Sequence, residues 1–284
     1  MLHRLSLLDH ESSAPLFGLS VMYPSRGALE RIGPDWDWIW LDAQHGDMDF
    51  RDAADLVRVA DLIDRPALVR VPAHDPGWIG KILDAGAAGV IVPMVESLAE
   101  AKAMITAAKF PPLGNRSYGG RRIIDRTGRG YYKSANRATL LILQLESNEA
   151  VDLADGLAAI DGVDGLFLGP DDLMIRAGKD VDAPKTRESI GRQSRAVADA
   201  CHKNGKLVVG IGVSDAAMTM AKEDKYNLVV GGGDAGFLAG GSKAAAQKLR
   251  NHFKTETPVV ADSGHLAAVV GGRKESGNPG DRLY

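Results

Sequence analysis

Glu146 and Asp172 are the residues whose type and placement point most directly to chemistry. Each follows an apolar run that reads as a buried strand, Leu140 to Ser147 for the first and Val163 to Pro170 for the second, so each carboxylate reaches a strand's C-terminal end. Two carboxylates from neighbouring strands, with no third strong ligand nearby in sequence, suit a hard divalent cation that keeps positions open for water and substrate. Gln144 lies two residues before Glu146, on the same strand face, and either orients it or serves as a core amide bonded to backbone. Asp42 and His45 close another strand in Asp35-Trp-Asp-Trp-Ile-Trp-Leu-Asp-Ala-Gln-His-Gly46. A histidine beside a carboxylate offers a titratable base. Alternation sets positions 42 and 45 on opposite faces, so the pair converges only if the chain turns at Ala43-Gln44. Arg70 closes a further strand, Ala67 to Pro72. A guanidinium inside a sheet requires an anion, either a structural carboxylate or that of a substrate.

Other motifs carry less. Gly231-Gly-Gly-Asp-Ala-Gly236 spells G-x-G-x-x-G, but it follows the last strand instead of the first, and Glu256 lies outside any strand. Tight barrel turns, or a carboxylate or phosphate site, explain it better than a dinucleotide fingerprint. Arg116, Arg121, Arg122, Arg126 and Arg129 alternate with Tyr118, Tyr131 and Tyr132, against the single acid Asp125. With a formal net charge of −3 and no nucleic-acid-binding fold pattern, that stretch suits an anionic substrate or a subunit contact, not RNA or DNA. Cys201 sits in a helix pattern with Val197 and Ala198 as a packing thiol. His3, His10, His74, His202, His252 and His265 have no ligand spacing and count as surface.

These residues need a scaffold, and the chain supplies one in a regular rhythm. Apolar, β-branched runs recur at Phe17 to Tyr23, Asp37 to Asp42, Ala67 to Val71, Gly89 to Val95, Leu140 to Ser147, Gly165 to Gly169, Leu207 to Val213 and Leu228 to Gly232. Helix-period segments lie between them at Phe50 to Ile63, Trp78 to Ala85, Leu98 to Ala108, Asn148 to Ala159, Arg187 to Asn204 and Asp215 to Glu223. Strict alternation argues for a parallel sheet, and eight strands argue for closure into a (β/α)8 TIM barrel. A chain of 284 residues with 45% apolar content can form such a barrel as one domain, residues 1–254. Phe110 to Asn136 breaks the rhythm as a long Gly- and Arg-rich loop, and residues 255–284 read as a C-terminal tail or arm. One cysteine, no secretory pattern in Met1 to Ser13 and no apolar run near ~18 residues predict a cytoplasmic protein with no membrane partner.

Asp42-Ala-Gln-His45, Arg70-Val-Pro72, Val92-Pro-Met-Val-Glu96, Pro111-Pro-Leu-Gly-Asn-Arg116, Gln144-Leu-Glu146 and Gly169-Pro-Asp-Asp-Leu173, in this order, resemble the HpcH/HpaI family of metal-dependent, class II pyruvate aldolases. The resemblance covers roughly Phe17 to Leu249. It implies a barrel whose last helix is exchanged between subunits, assembled as a trimer of dimers. It implies Mg2+, Mn2+ or Co2+ held by Glu146 and Asp172, Arg70 on the keto oxygen of a 2-oxo acid, and His45 in a proton relay supported by Asp42 and Asp84. Backbone amides from Gly169, Pro170 and Asp171 to Asp172 would receive the substrate carboxylate, and Arg116 and Tyr118 would complete the aldehyde pocket across a subunit interface. Gln44 departs from the family, where relatives commonly carry Glu, so the charge beside His45 is reduced.

The chemistry implied is an enolate adding to an aldehyde, or the reverse cleavage of a 4-hydroxy-2-oxo acid. Decarboxylation of oxaloacetate uses the same enolate, and a non-catalytic 2-oxo acid binder on the same barrel is a third possibility. No lysine falls at a predicted strand end inside the barrel, which argues against a Schiff base.

Overall fold

The computed structural model describes residues 14–256. Eight strands pair in sequence order into a closed parallel barrel: β1 Leu16–Val21, β2 Trp38–Asp42, β3 Ala67–Arg70, β4 Gly89–Val92, β5 Leu140–Leu145, β6 Gly165–Leu168, β7 Leu207–Ile211 and β8 Leu228–Gly233. The helices are α1 Arg26–Ile32, α2 Phe50–Leu62, α3 Pro76–Ala85, α4 Leu98–Ala108, α5 Arg121–Thr127, α6 Tyr132–Ala138, α7 Asn148–Asp152, α8 Ala154–Ala158, α9 Pro170–Arg176, α10 Arg187–Lys203, α11 Asp215–Glu223 and α12 Asp234–Phe253. The expected (β/α)8 barrel is therefore present.

Strand alternation sorts the side chains into two cores. Trp38, Trp40, Leu68, Ile91, Ile142, Phe167, Val209, Leu228 and Val230 fill the inside of the barrel. A larger cluster packs the outer strand faces on the helices, including Leu41, Val69, Leu143, Leu166 and Val208 against Leu56, Ile82, Met104 and Val197. Strands covered on both faces read as continuous apolar runs, which is why they are legible in sequence. The helices begin where side chains cap them: Asp49 before α2, Asp75 before α3 with Pro76 behind it, Ser97 before α4, Thr186 before α10 and Ser214 before α11.

Two segments differ from the sequence expectation. Asn148 to Ala159 is two short helices that meet at Leu153, whose φ of −91° and ψ of 0° depart from ideal helical values while staying in the right-handed region. Phe110 to Asn136 contains α5, a 3-10 turn at Arg129–Tyr131 and most of α6, held by a small core of Phe110, Ile123, Tyr131 and Ala135. Helices of seven residues among Gly and Arg give too short a period to stand out. Its arginines are largely committed internally: Arg116 to Asp84, Arg121 to Asp125, Arg122 to Asp61 and the Ala85 carbonyl, and Arg129 over the Tyr118 ring.

Lys109 anchors this insertion. It is fully buried, and its ammonium donates to Asp164 at 2.6 Å and to the carbonyls of Thr139 at 2.6 Å and Asn136 at 3.0 Å. All three N–H groups are used, so burial depresses its pKa without leaving a free amine.

Two compact units divide the chain between Leu238 and Ala239, inside α12. From Ala239 to Phe253 the helix carries exposed Leu249 and Phe253. The tail expected beyond residue 254 lies almost wholly outside the described residues. Among the described residues, no helix is long and apolar enough to cross a membrane.

Candidate active site

At the C-terminal strand ends, the next inward positions above the barrel core are polar. Asp42 lies beside Arg70 in the β2–β3 register. The Arg70 guanidinium donates from Nε to Asp42 Oδ1 at 2.9 Å and from Nη2 to Oδ2 at 2.5 Å, a bidentate pair that is 6% and 1% exposed. Asp42 Oδ1 also accepts the amides of Gln44 at 3.1 Å and His45 at 3.2 Å. The carboxylate thus closes the tight turn that the Asp42 and His45 pairing required. Gly46 completes it, since a Cβ there would meet the Asp42 carbonyl at 2.3 Å. His45 is exposed, with its ring free of hydrogen bonds, and Gln44 buries its side-chain oxygen without a donor.

Arg70 Nη1 reaches toward Gln144 Oε1 at 3.5 Å, and Gln144 Nε2 donates to Glu146 Oε1 at 2.7 Å. Asp42, Arg70, Gln144 and Glu146 therefore form one connected row across β2, β3 and β5. Its floor is the Trp40 ring, 4.8 Å below the guanidinium and edge-on to Phe167. The Trp40 indole N–H is buried with no acceptor.

Glu146 is 2% exposed. Burial pushes its carboxyl above the usual range, and the charge of Asp172 adds to that, while the Met94 amide, Arg70 and Gln144 pull the other way. Its second oxygen accepts Met94 N–H at 2.7 Å. Gly169 leaves room for this carboxylate, because a Cβ would come within 2.6 Å of Glu146 Cγ and 2.8 Å of Gln144 Nε2. A bridge from Glu96 steadies both carboxylate-bearing segments: it accepts Ser147 Oγ at 2.6 Å just after Glu146, and Arg176 Nη1 at 2.6 Å on α9, the helix of Asp172.

The donor set fits a hard divalent cation. Burial and the neighbouring Asp172 outweigh the pull of Arg70 on Glu146, and carboxylate oxygens of this kind are the ligands that hard divalent cations such as Mg2+ or Mn2+ prefer. Among the described residues no group of three or more acidic, histidine or cysteine ligands forms, so two carboxylates leave positions for water and substrate.

Some expected residues fall elsewhere. Asp84 lies in the last turn of α3, and a helix that returns antiparallel to the strands ends at the opposite face of the barrel. There Arg116 holds it at 2.6 Å while stacking over Phe110 at 4.9 Å, and Tyr118 stacks on Tyr131. Within this chain, Asp84, Arg116 and Tyr118 do not join the row of Arg70 and Glu146. The expected amide cradle is also narrower: Pro170 has no N–H, and Gly169 gives its own to the Leu145 carbonyl at 2.9 Å. The Asp171 and Asp172 amides remain, while the Asp171 side chain turns out to Lys185 at 2.9 Å. The Gly231 to Gly236 motif is no anion site, because Asp234 fills it and accepts the Met22 and Tyr23 amides at 2.9 and 3.0 Å. His74, counted as surface, is half-buried with Nε2 2.8 Å from the Pro93 carbonyl. Met94 and Glu96, both in the Val92-Pro-Met-Val-Glu96 motif, join the site through contacts that no spacing signals.

Polar groups gathered over an apolar barrel floor, at the end where (β/α)8 enzymes keep their catalytic residues, mark the chain as an enzyme of that class. It belongs to the HpcH/HpaI aldolase/citrate lyase family, whose profile matches residues 30–233. It is 40% identical over 164 residues to a 4-hydroxy-2-oxovalerate aldolase of Novosphingobium aromaticivorans, a match covering 57% of this chain and 62%, under two thirds, of that protein. It is 32% identical over 224 residues to a hydroxypyruvate/pyruvate aldolase of Rhizorhabdus wittichii, covering 78% of this chain and 88% of the relative. A solved HpcH/HpaI aldolase/citrate lyase family protein from Burkholderia cenocepacia J2315 superposes with a TM-score of 0.77 at 30% identity, covering 87% of this chain and 98% of the other.

Proposed function

We propose that this protein is a carbon-carbon lyase, a divalent-metal-dependent aldolase that joins C3 of a pyruvate-type 2-oxo acid to an aldehyde or cleaves the resulting 4-hydroxy-2-oxo acid. The observation that carries the reading is the continuous row Asp42, Arg70, Gln144, Glu146 at the strand ends. Glu146 and Asp172 would hold the ion, which when bound supplies Lewis-acid polarisation of the substrate's keto group.

The chain's own groups supply the rest. Arg70, fixed in place by Asp42, directs its remaining N–H donors at the keto oxygen as negative charge develops there on loss of a C3 proton. The Asp171 and Asp172 amides receive the carboxylate. His45, exposed at the rim, carries a proton between solvent and the reacting atoms. Gln144 keeps Glu146 oriented. Among the described residues, the fully buried lysine, Lys109, offers no Schiff-base amine, because it sits at the opposite barrel end with every N–H engaged.

The reading extends to assembly as a homohexamer, a trimer of dimers with α12 exchanged between subunits and Arg116, Tyr118 and Asp84 serving a neighbour's site. Exposed Phe17, Leu249 and Phe253, together with the position of Asp84 and Arg116 away from their own Arg70, support this. A cytoplasmic setting agrees with the lone buried Cys201, whose thiol burial pushes up to about 12.

The test is proton exchange at C3 of pyruvate, followed in deuterated buffer by nuclear magnetic resonance, with and without chelator, alongside a screen of aldehydes. Exchange that needs Mg2+, Mn2+ or Co2+ and leads to aldol product supports the reading. Exchange undiminished by chelator, or trapping of pyruvate on the protein by borohydride, would sink it.

A further inference from the structure

One peptide group links a histidine to the buried carboxylate. His74 Nε2 lies 2.8 Å from the Pro93 carbonyl oxygen. A carbonyl only accepts, so Nε2 bears the proton and donates. The same peptide continues into Met94 N–H, which donates to Glu146 Oε2 at 2.7 Å. Carbonyl and amide are two ends of one planar unit, so a rotation that breaks either bond breaks the other.

The unit is held in a conformation it would not choose by itself. Met94 has φ of 54°, in the left-handed region where a side chain is strained unless its surroundings hold it. Flipping the Pro93–Met94 peptide would move Met94 out of that region and would turn a carbonyl oxygen, in place of the N–H, toward Glu146. The bond from His74 opposes the flip. It also polarises the peptide and makes its N–H a stronger donor to the carboxylate.

We propose that His74 is a positioning residue of the cation site: through the Pro93–Met94 peptide it holds Glu146 in the orientation in which the carboxylate serves the ion. This rests on the reading that Glu146 and Asp172 bind a divalent cation. His74 touches neither substrate nor ion. Its action is the orientation of a ligand from behind, the kind of support whose loss costs metal sites about 10- to 100-fold in affinity.

The experiment measures Mn2+ dissociation constants by electron paramagnetic resonance of the free ion, on the full chain without substrate. His74→Phe keeps a ring and removes the donor, His74→Ala removes both, and His74→Gln places an amide N–H near the position of Nε2. Folding of each variant is checked by circular dichroism, so that affinity is compared between folded proteins. The expected result is Mn2+ binding weakened about 10- to 100-fold in His74→Phe and His74→Ala, with His74→Gln close to wild type. Unchanged affinity in His74→Phe and His74→Ala, or a loss in His74→Gln as large as theirs, would overturn the proposal. Wild-type protein that fails to bind Mn2+ overturns the cation reading itself, which a loss confined to the variants does not.

Discussion

Replacing Arg70 by alanine separates the catalytic from the structural account of this residue, because the structure assigns a magnitude to each. The substitution removes the guanidinium from Asp42, a carboxylate only 1% exposed, together with hydrogen bonds of 2.9 and 2.5 Å. Breaking a buried ion pair from one side costs about 3–5 kcal/mol. The Gln44 and His45 amides still hold Asp42 Oδ1, which favours the lower end of that range. For a domain of this size each kcal/mol lowers Tm by about 2–4 °C, so a fall of roughly 6–12 °C is expected. Arg70→Gln with Asp42→Asn removes both charges and should recover most of the loss. Catalysis behaves differently: losing a donor aimed at a developing oxyanion costs about 100- to 1,000-fold in rate, and the double variant should not regain it. Scanning calorimetry and C3 proton exchange with pyruvate measure the two effects on one sample. Recovery of exchange in the double variant, or exchange left intact in Arg70→Ala, would refute the assignment of Arg70 to the reaction.

Glu146→Gln should act in opposite directions on the metal-free and metal-loaded protein. The folded-state carboxyl of Glu146 is raised by burial and by Asp172, so its contribution to metal-free stability is full below the ordinary glutamate range and is lost as pH rises through the raised value. In chelator, thermal scans should find Glu146→Gln equal to wild type in acid and more stable at neutral pH. Added Mn2+ should raise only the wild-type Tm, by about 5–10 °C at 100 times the dissociation constant. Lys109→Met should strand Asp164 and two carbonyls, costing about 3–5 kcal/mol in urea unfolding, with exchange per folded molecule unchanged. Mixed oligomers of Arg70→Ala with an Arg116→Ala, Tyr118→Phe double variant should regain aldol activity that neither protein has alone. Activity no greater than the sum of the separate proteins would leave the Arg116 loop without a part in a neighbour's site.

Much of the barrel is legible in sequence because its strands are apolar on both faces and its helices begin at Asp, Ser and Thr caps. Glu146 and Gln144 are legible for a related reason: polar residues that end an apolar run have nowhere to go but the strand end. Where sequence fails, geometry that spacing does not encode decides the outcome. The left-handed φ of Met94 is set by its surroundings, and only this φ turns its amide to Glu146. His74 has no ligand spacing because its partner is a carbonyl and not a metal. Asp84 and Arg116 can be named from the family resemblance, yet only the antiparallel return of α3 reveals that they meet each other on the far face of the barrel. The insertion hides its helices because Ile123, Tyr131 and Ala135 bury against Phe110 and not against the strands.

The bidentate grip of Asp42 on Arg70 couples cation and substrate binding in the proposed function. With Asp42 already paired to the arginine, the carboxylates left facing an approaching 2-oxo acid in the proposed reaction are Glu146 and, beside the row, Asp172. In the proposed function a divalent cation held by those carboxylates would offset their charge, so the cation and the anionic substrate would each strengthen the other's binding. Thermodynamic reciprocity makes the factor the same in both directions. The ratio by which oxalate, a dianion shaped like the enolate, tightens Mn2+ must equal the ratio by which Mn2+ tightens oxalate.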